Sequence, residues 1–268
     1  MTLQEFYTEN RNKLFEVTSD AAFDTKLLIC HALEMTENTF FMNMHLILTD
    51  EQTEALNALI DRRLSGEPLQ YILGKWSFMG YDFYVSPDCL IPRQDTETLV
   101  EYACREILRH NYTSVLDICT GSGCIAISIS KGCGAKITAS DLYENTLQMA
   151  IKNAQLNNAQ VDFMISDIFD SVEGSFDVIT ANPPYLTDEE MKSIQREMTF
   201  EPYHALCGGD DGLFFYKKIA ETYREHLNEG GMLLLEVGEQ QADKVAALFE
   251  NAEIIKDLCG KQRVVKVV

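Results

Sequence analysis

Val115-Leu116-Asp117-Ile118-Cys119-Thr120-Gly121-Ser122-Gly123-Cys124-Ile125-Ala126 is a short apolar run that enters a glycine turn and leaves as an apolar helix. Glycines at 121 and 123 let the backbone turn sharply and approach a ligand closely, and the helix that follows turns unpaired N–H groups toward it. A nucleotide-like cofactor belongs at such a turn. Gly121-x-Gly123-x-x-Ala126, with Asp141 twenty residues past the first glycine, fits the dinucleotide fingerprint. By itself it leaves a dehydrogenase and a methyltransferase both open.

Outward from this turn, helix and strand patterns alternate. Helices are predicted over 95–110, 123–132, 143–156, 211–228 and 239–250. Strands are predicted over 114–118, 136–141, 161–166, 176–181 and 232–237, then near 252–258 and 262–268. This order predicts an α/β fold, with a mainly parallel seven-stranded Rossmann-like sheet covered on both faces and ligands at the carboxyl ends of the strands. Residues 1–74 instead carry apolar residues at i, i+3, i+4 spacing, which predicts a small helical bundle. Its last helix is announced by the capping-box pair Thr49 and Gln52 and stopped by Gly66-Glu67-Pro68. Aromatic and β-branched residues around Gly80 and Ser86-Pro87 predict a β-hairpin linker over 75–92, ahead of the second domain at 93–268.

At 46% hydrophobic and 24% charged over 268 residues, the chain has enough apolar material for a sizeable core, which excludes a disordered chain or a rod. The net charge is −20, with −7 on residues 1–74 and −13 on the remainder. A field of that sign repels phosphate backbones, so no direct nucleic-acid partner is expected. No apolar run reaches membrane-spanning length and the amino terminus lacks a signal-peptide pattern, so the expected address is cytoplasmic, without a membrane partner. The 8 cysteines include no Cys-x-x-Cys and the 5 histidines show no ligand spacing, so free thiols and no metal are expected.

Three carboxylates follow successive strands. Asp117 stands where it would meet the cationic amino-acid part of S-adenosylmethionine and would repel a pyrophosphate. Asp141 is placed for ribose hydroxyls and Asp167 for the adenine amino group. After the fourth strand comes Asn182-Pro183-Pro184-Tyr185. Two prolines make this a stiff bracket. The Asn182 side-chain oxygen and the Pro183 carbonyl can accept both hydrogens of a planar –NH₂, aiming its nitrogen at a sulfonium methyl and stabilising the charge that grows on it. Tyr185 can cover the flat face of the amide.

Taken with these motifs, the chain resembles the N5-glutamine methyltransferases of peptide chain release factors over nearly its whole length. Arg62-Arg63-x-x-Gly66-Glu67-Pro68-Leu69-Gln70-Tyr71-Ile72-Leu73-Gly74, Ile91-Pro92-Arg93-x-Asp95-Thr96-Glu97, Phe200-Glu201-Pro202 and Glu236-x-Gly238 with Gln241 carry the likeness beside the two loops. The resemblance implies a Rossmann-like S-adenosylmethionine-dependent domain that methylates the glutamine of a Gly-Gly-Gln loop, with a helical domain that docks class 1 release factors. On that pattern Asn182, Pro183 and Tyr185 are catalytic. Asp117, Thr120, Gly121 and Gly123, with Asp141, Leu142, Asp167, Ile168 and Asn182, hold the cofactor. Asn182, Pro183, Pro184, Tyr185, Arg93 and Glu201 face the substrate. Position 119 is cysteine where that family usually carries glycine or another small residue, and Leu142 stands where a small residue is common.

Asn-Pro-Pro-Tyr alone is shared with adenine-amine methyltransferases of DNA and RNA, so it specifies a planar amine and not a protein. That reading needs a basic groove with steep salt dependence, which a net charge of −20 disfavours. A non-catalytic partner protein of the same fold is the reading from a different class, and the intact motif and cofactor acids oppose it.

Overall fold

Reciprocal caps open two of the amino-terminal helices. In α1 (Leu3–Leu14) the Thr2 hydroxyl accepts from the Glu5 N–H while the Glu5 carboxylate accepts from the Thr2 N–H, and Thr49 with Gln52 does the same for α4 (Asp50–Leu64). Between them lie α2 (Ala21–Ala32) and α3 (Glu37–Met42), and α5 (Leu69–Leu73) ends at Gly74, whose φ of 72° only glycine adopts without strain. The computed structural model describes residues 1–268, and the chain divides into two units: Met1–Gly74 with Gln195–Phe200, and Lys75–Ile194 with Glu201–Val268.

Residues 195–200 were expected in the second domain, and they fold with the first unit for an electrostatic reason. The Arg63 side chain is 2% exposed and pairs with Asp24 at 2.7 Å and with Glu197. A buried guanidinium needs its full set of acceptors. Glu197 supplies one from 134 residues away in sequence. Gly66 sits against Arg196, where a Cβ would meet that side chain at 2.7 Å.

The second unit begins with the hairpin of β1 (Lys75–Phe78) and β2 (Tyr81–Tyr84). It belongs to this unit's core. Phe78 and Phe83 are buried with Leu99 and Val100 of α6 (Glu97–His110), and Asn153 bonds both the N–H and the C=O of Tyr84. Next come β3 (Ser114–Ile118), α7 (Cys124–Cys133), β4 (Lys136–Asp141), α8 (Glu144–Leu156), which carries Asn153, β5 (Val161–Ile165) and β6 (Phe176–Ala181). Short helices α9 (Asp188–Met191) and α10 (Tyr203–Leu206) precede α11 (Phe214–Thr222), β7 (Leu227–Glu236), α12 (Ala242–Ala246), β8 (Ala252–Lys256) and β9 (Gln262–Val267).

The seven strands lie in the order β5-β4-β3-β6-β7-β9-β8, parallel from β5 through β7, with β9 antiparallel to both its neighbours. The α/β class and the seven-stranded, mainly parallel sheet match the expectation. One apolar cluster forms on each side, around Val115, Ile127 and Val178 and around Leu116, Ile179 and Tyr216. The alternation of Val115 and Leu116 between the two clusters follows from the period of two along a strand buried on both faces. The helix expected over 211–228 is shorter at both ends. The Asp211 carboxylate accepts from the Leu213 N–H ahead of it, and Leu227 pairs with Phe176 in the sheet after it.

Candidate active site

The turn after β3 is built from three residues in the left-handed region: Cys119 at φ 55°, Gly121 at 56° and Gly123 at 80°. Gly123 is required for packing as well, because a Cβ there would lie 3.1 Å from both Ala150 Cβ and Ile127 Cδ1. A Cβ on Gly121 would meet nothing within 4 Å. Cys119 is the one residue of the three with a Cβ, so it carries strain in this conformation that glycine would not.

At the carboxyl ends of β3, β4, β5 and β6 this turn borders a cavity of about 380 Å³. Thr120 and Gly121 line it from the turn, Asp141 and Leu142 from the end of β4, and Asp167 and Ile168 from beyond β5. Asn182 and Pro184 close it after β6, with Arg93 on the same wall. Gly123, Pro183, Tyr185 and Glu201 lie outside the lining, and Pro183 and Glu201 are buried.

Asp117 does not reach the cavity, which corrects the expected contact with a cationic cofactor group. It is 0% exposed, and its two oxygens accept the hydroxyls of Thr120 at 2.6 Å and Thr180 at 2.7 Å. Thr180 is its register partner on β6, so the sheet itself draws the carboxyl inward. Burial pushes its pKa up to about 7, against the opposing pull of those two hydroxyls. Asp117 braces the turn from beneath.

Asp141 does reach the cavity. Its Oδ2 accepts from the Gly121 N–H at 3.0 Å and its Oδ1 from the Tyr143 N–H at 3.2 Å, while burial raises its pKa and these N–H groups oppose the rise. Asp167 accepts from Lys218 Nζ at 2.6 Å through Oδ2. Ile168, a β-branched residue at φ 56°, carries backbone strain at the cavity wall. The Glu201 carboxylate accepts from the Ile91 N–H at 3.0 Å and from the Arg93 guanidinium, so this pair anchors the 91–93 segment.

The Asn-Pro-Pro-Tyr loop is held from outside itself. Asn182 Nδ2 donates to Thr96 Oγ1 at 3.3 Å, and the Tyr185 carbonyl accepts from Gln241 Nε2 at 2.7 Å. Burial pushes the Tyr185 phenol up to about 12, so it stays neutral at physiological pH. Sequence reasoning missed Tyr143 and His204, whose rings lie 3.8 Å apart between centroids and which both line the cavity. They stand 61 positions apart, and no local pattern links them.

These residues fit S-adenosylmethionine and not a dinucleotide. The Gly121 N–H, which a pyrophosphate would need as a donor, is already held by Asp141, and a carboxylate at that place repels phosphate. The same carboxylate keeps acceptor capacity for hydroxyls, and the wall beyond it is mainly apolar, with Ile91, Ile168 and Phe215.

Comparison with known proteins agrees. The PrmC N-terminal domain matches residues 8–74 and the methyltransferase small domain matches residues 96–210. The release factor glutamine methyltransferase of Thermodesulfovibrio yellowstonii is 37% identical, over 94% of this chain and 95% of its own. That of Koribacter versatilis is 38% identical, over 92% and 91%. This chain belongs to the release factor glutamine methyltransferase family. It is therefore an S-adenosylmethionine-dependent methyltransferase. Solved structures show the same fold at low identity. A methyltransferase from Pyrococcus furiosus has a TM-score of 0.52 at 21% identity, covering 80% of this chain and 96% of that one. The 16S rRNA N2 G1207 methyltransferase of T. thermophilus has a TM-score of 0.53 at 15% identity, covering 72% and 49%. No helix of this methyltransferase is long and apolar enough to cross a membrane.

Proposed function

We propose that this enzyme transfers a methyl group to the side-chain amide nitrogen of the glutamine in the Gly-Gly-Gln loop of class 1 release factors, in the cytoplasm, with the helical unit docking the protein substrate. Asn182 carries the reading. Asn182 lines the cofactor cavity, and its Nδ2 is bonded to Thr96, which leaves Oδ1 as an acceptor for a substrate N–H.

An amide nitrogen is a weak nucleophile because its lone pair is delocalised. When bound, S-adenosylmethionine would supply a methyl on a sulfonium, open to in-line attack, with the sulfur leaving as the neutral thioether S-adenosylhomocysteine and the methylated nitrogen giving up one proton to solvent. Asn182 Oδ1 and the Pro183 carbonyl accept the two N–H bonds of the glutamine amide, which orients the lone pair and stabilises the positive charge growing on nitrogen. Both acceptors are preorganised: the prolines fix the loop backbone, and Gln241 holds it at Tyr185. Asp141 binds the cofactor's ribose, and Asp167, with one oxygen on Lys218, keeps the other for the adenine amino group. Arg93 and Glu201 shape the wall over which the loop of the release factor enters.

The test is mass spectrometry of a release factor incubated with enzyme and S-adenosylmethionine. A gain of one methyl on the Gly-Gly-Gln peptide is expected. An unmodified peptide, with adenine methylated instead in a parallel assay on DNA or RNA, would transfer the assignment to the adenine-amine class.

A further inference from the structure

The Glu236-x-Gly238 motif has no place in the mechanism above, although Glu236 is buried at 4% exposure in the same unit as the cavity. It ends β7. Ala181 of β6 pairs with Leu235 of β7 in parallel register, so Asn182 and Glu236 leave the sheet side by side. The side chains of Thr96 and Asn182, themselves joined by the Asn182 Nδ2 to Thr96 Oγ1 bond, stand close enough to the Glu236 carboxyl to favour its ionised form against burial. Its Oε2 has no hydrogen-bond partner in the protein.

We infer that Glu236 is a positioning residue for methyl transfer: its carboxylate fixes the Asn182 amide so that Nδ2 points inward and Oδ1 faces the substrate nitrogen. The inference rests on the proposed reaction. An amide side chain is nearly symmetric in shape, and only its hydrogen-bond partners decide which end faces which way. Thr96 alone does not decide, because a hydroxyl accepts and donates equally well. An ionised carboxylate only accepts, so the group turned toward it must be the NH₂. The glutamine amide of the substrate is itself an NH₂ donor. An Asn182 turned the other way would set donor against donor and leave the nitrogen unaimed. A protonated Glu236 can donate to Oδ1 and permits that turn.

The charges around Glu236 bear on when it ionises. Burial pushes it up to about 7, Asp95 raises it further, and Arg263 lowers it. Tyr185, Tyr216 and Cys124 also face it, and burial raises all three, so they are neutral in this range. Asp117 titrates near the same pH, so the decisive comparison is between the wild type and Glu236→Gln.

The experiment uses the full-length enzyme with a release factor. Glu236→Gln is expected to lower kcat by about tenfold or more, as loss of a preorganised acceptor does, with cofactor Kd by calorimetry within about twofold of wild type. The acid limb of the kcat profile should be lost with it. In the Asn182→Ala background the same change should cost nothing further, since both act through one group. A Glu236→Gln enzyme with wild-type kcat and acid limb, or a loss that adds in full to that of Asn182→Ala, overturns the inference. An independent readout needs no variant and no turnover. In the wild type, the ¹⁵N and ¹H signals of the Asn182 side-chain amide should move with the same midpoint as the ¹³C signal of the Glu236 carboxyl. Amide signals that stay fixed while the carboxyl titrates overturn it too. A wild type that leaves the release factor unmethylated while these signals move together defeats the proposed reaction and not the orientation.

Discussion

The glycine turn over residues 119–123 and the Asn-Pro-Pro-Tyr loop over 182–185 sit at the ends of neighbouring strands β3 and β6, yet they are made rigid in different ways. The first takes its shape from left-handed backbone at 119, 121 and 123 and is locked by bonds to its main chain, from Asp141 on the Gly121 N–H and from Asn153 on the Ser122 carbonyl, with Thr120 on Asp117 beneath. The second has a stiff backbone but depends on remote partners for its aim: Thr96 on Asn182 and Gln241 on Tyr185. A loop that encloses a cofactor needs a fixed shape. A loop that aims a reacting atom needs fixed orientation of one group, and that takes hydrogen bonds from several directions.

This contrast can be broken by substitution. The largest effect is expected for Asn182→Ala, a loss of about 10²-fold or more in kcat with cofactor Kd by calorimetry nearly unchanged. Asp141→Ala should do the reverse, weakening cofactor binding by about 10- to 100-fold, the value of charge-assisted hydrogen bonds, with kcat at saturating cofactor much less affected. Equal loss of cofactor affinity in both variants would remove the division of labour. Gly123→Ala places a Cβ against Ala150 at φ 80° and should cost about 1–2 kcal/mol in urea unfolding.

Two smaller effects sharpen the picture of the first turn. The folded-state pKa of Asp117, about 7, is raised above its unfolded value. Its contribution to stability is therefore complete below the unfolded pKa of about 4 and is lost as pH rises through about 7. The cofactor-free wild type should unfold at lower urea at pH 8 than at pH 5, and Asp117→Asn should reduce that difference. Cys119→Gly relieves the left-handed strain but removes a packed thiol, so the urea midpoint should report a net change within about 0.5 kcal/mol.

The same contrast decides what could be read from the chain. Residues 114–118, 136–141 and 176–181 come out as strands at the predicted limits, because each carries β-branched residues in a short run that stops at a turn-forming segment. The glycine turn was legible for a similar reason: its strain is local and so is its signature. His204 against Tyr143 and Lys218 on Asp167 left no mark in the sequence, and Thr96, though part of the Ile91–Glu97 motif, gave no sign of its bond to Asn182. Each is brought in by an element distant along the chain, and no spacing rule connects them. Asp117 shows how a motif position misleads. The residue was recognised and its direction was not, because only the register of Asp117 with Thr180 tells that the carboxyl turns inward.

The six residues 195–200 carry a practical warning for anyone who would cut this enzyme in two. A fragment beginning at Lys75 would retain Glu197 without the guanidinium it pairs with, and a fragment ending at Gly74 would strand Arg63 with only Asp24 for a counterion. Neither half is self-sufficient on this count, so limited proteolysis or separate expression should yield pieces less robust than their size suggests. The helical portion is better studied with residues 195–200 supplied as a peptide or grafted on by a short tether.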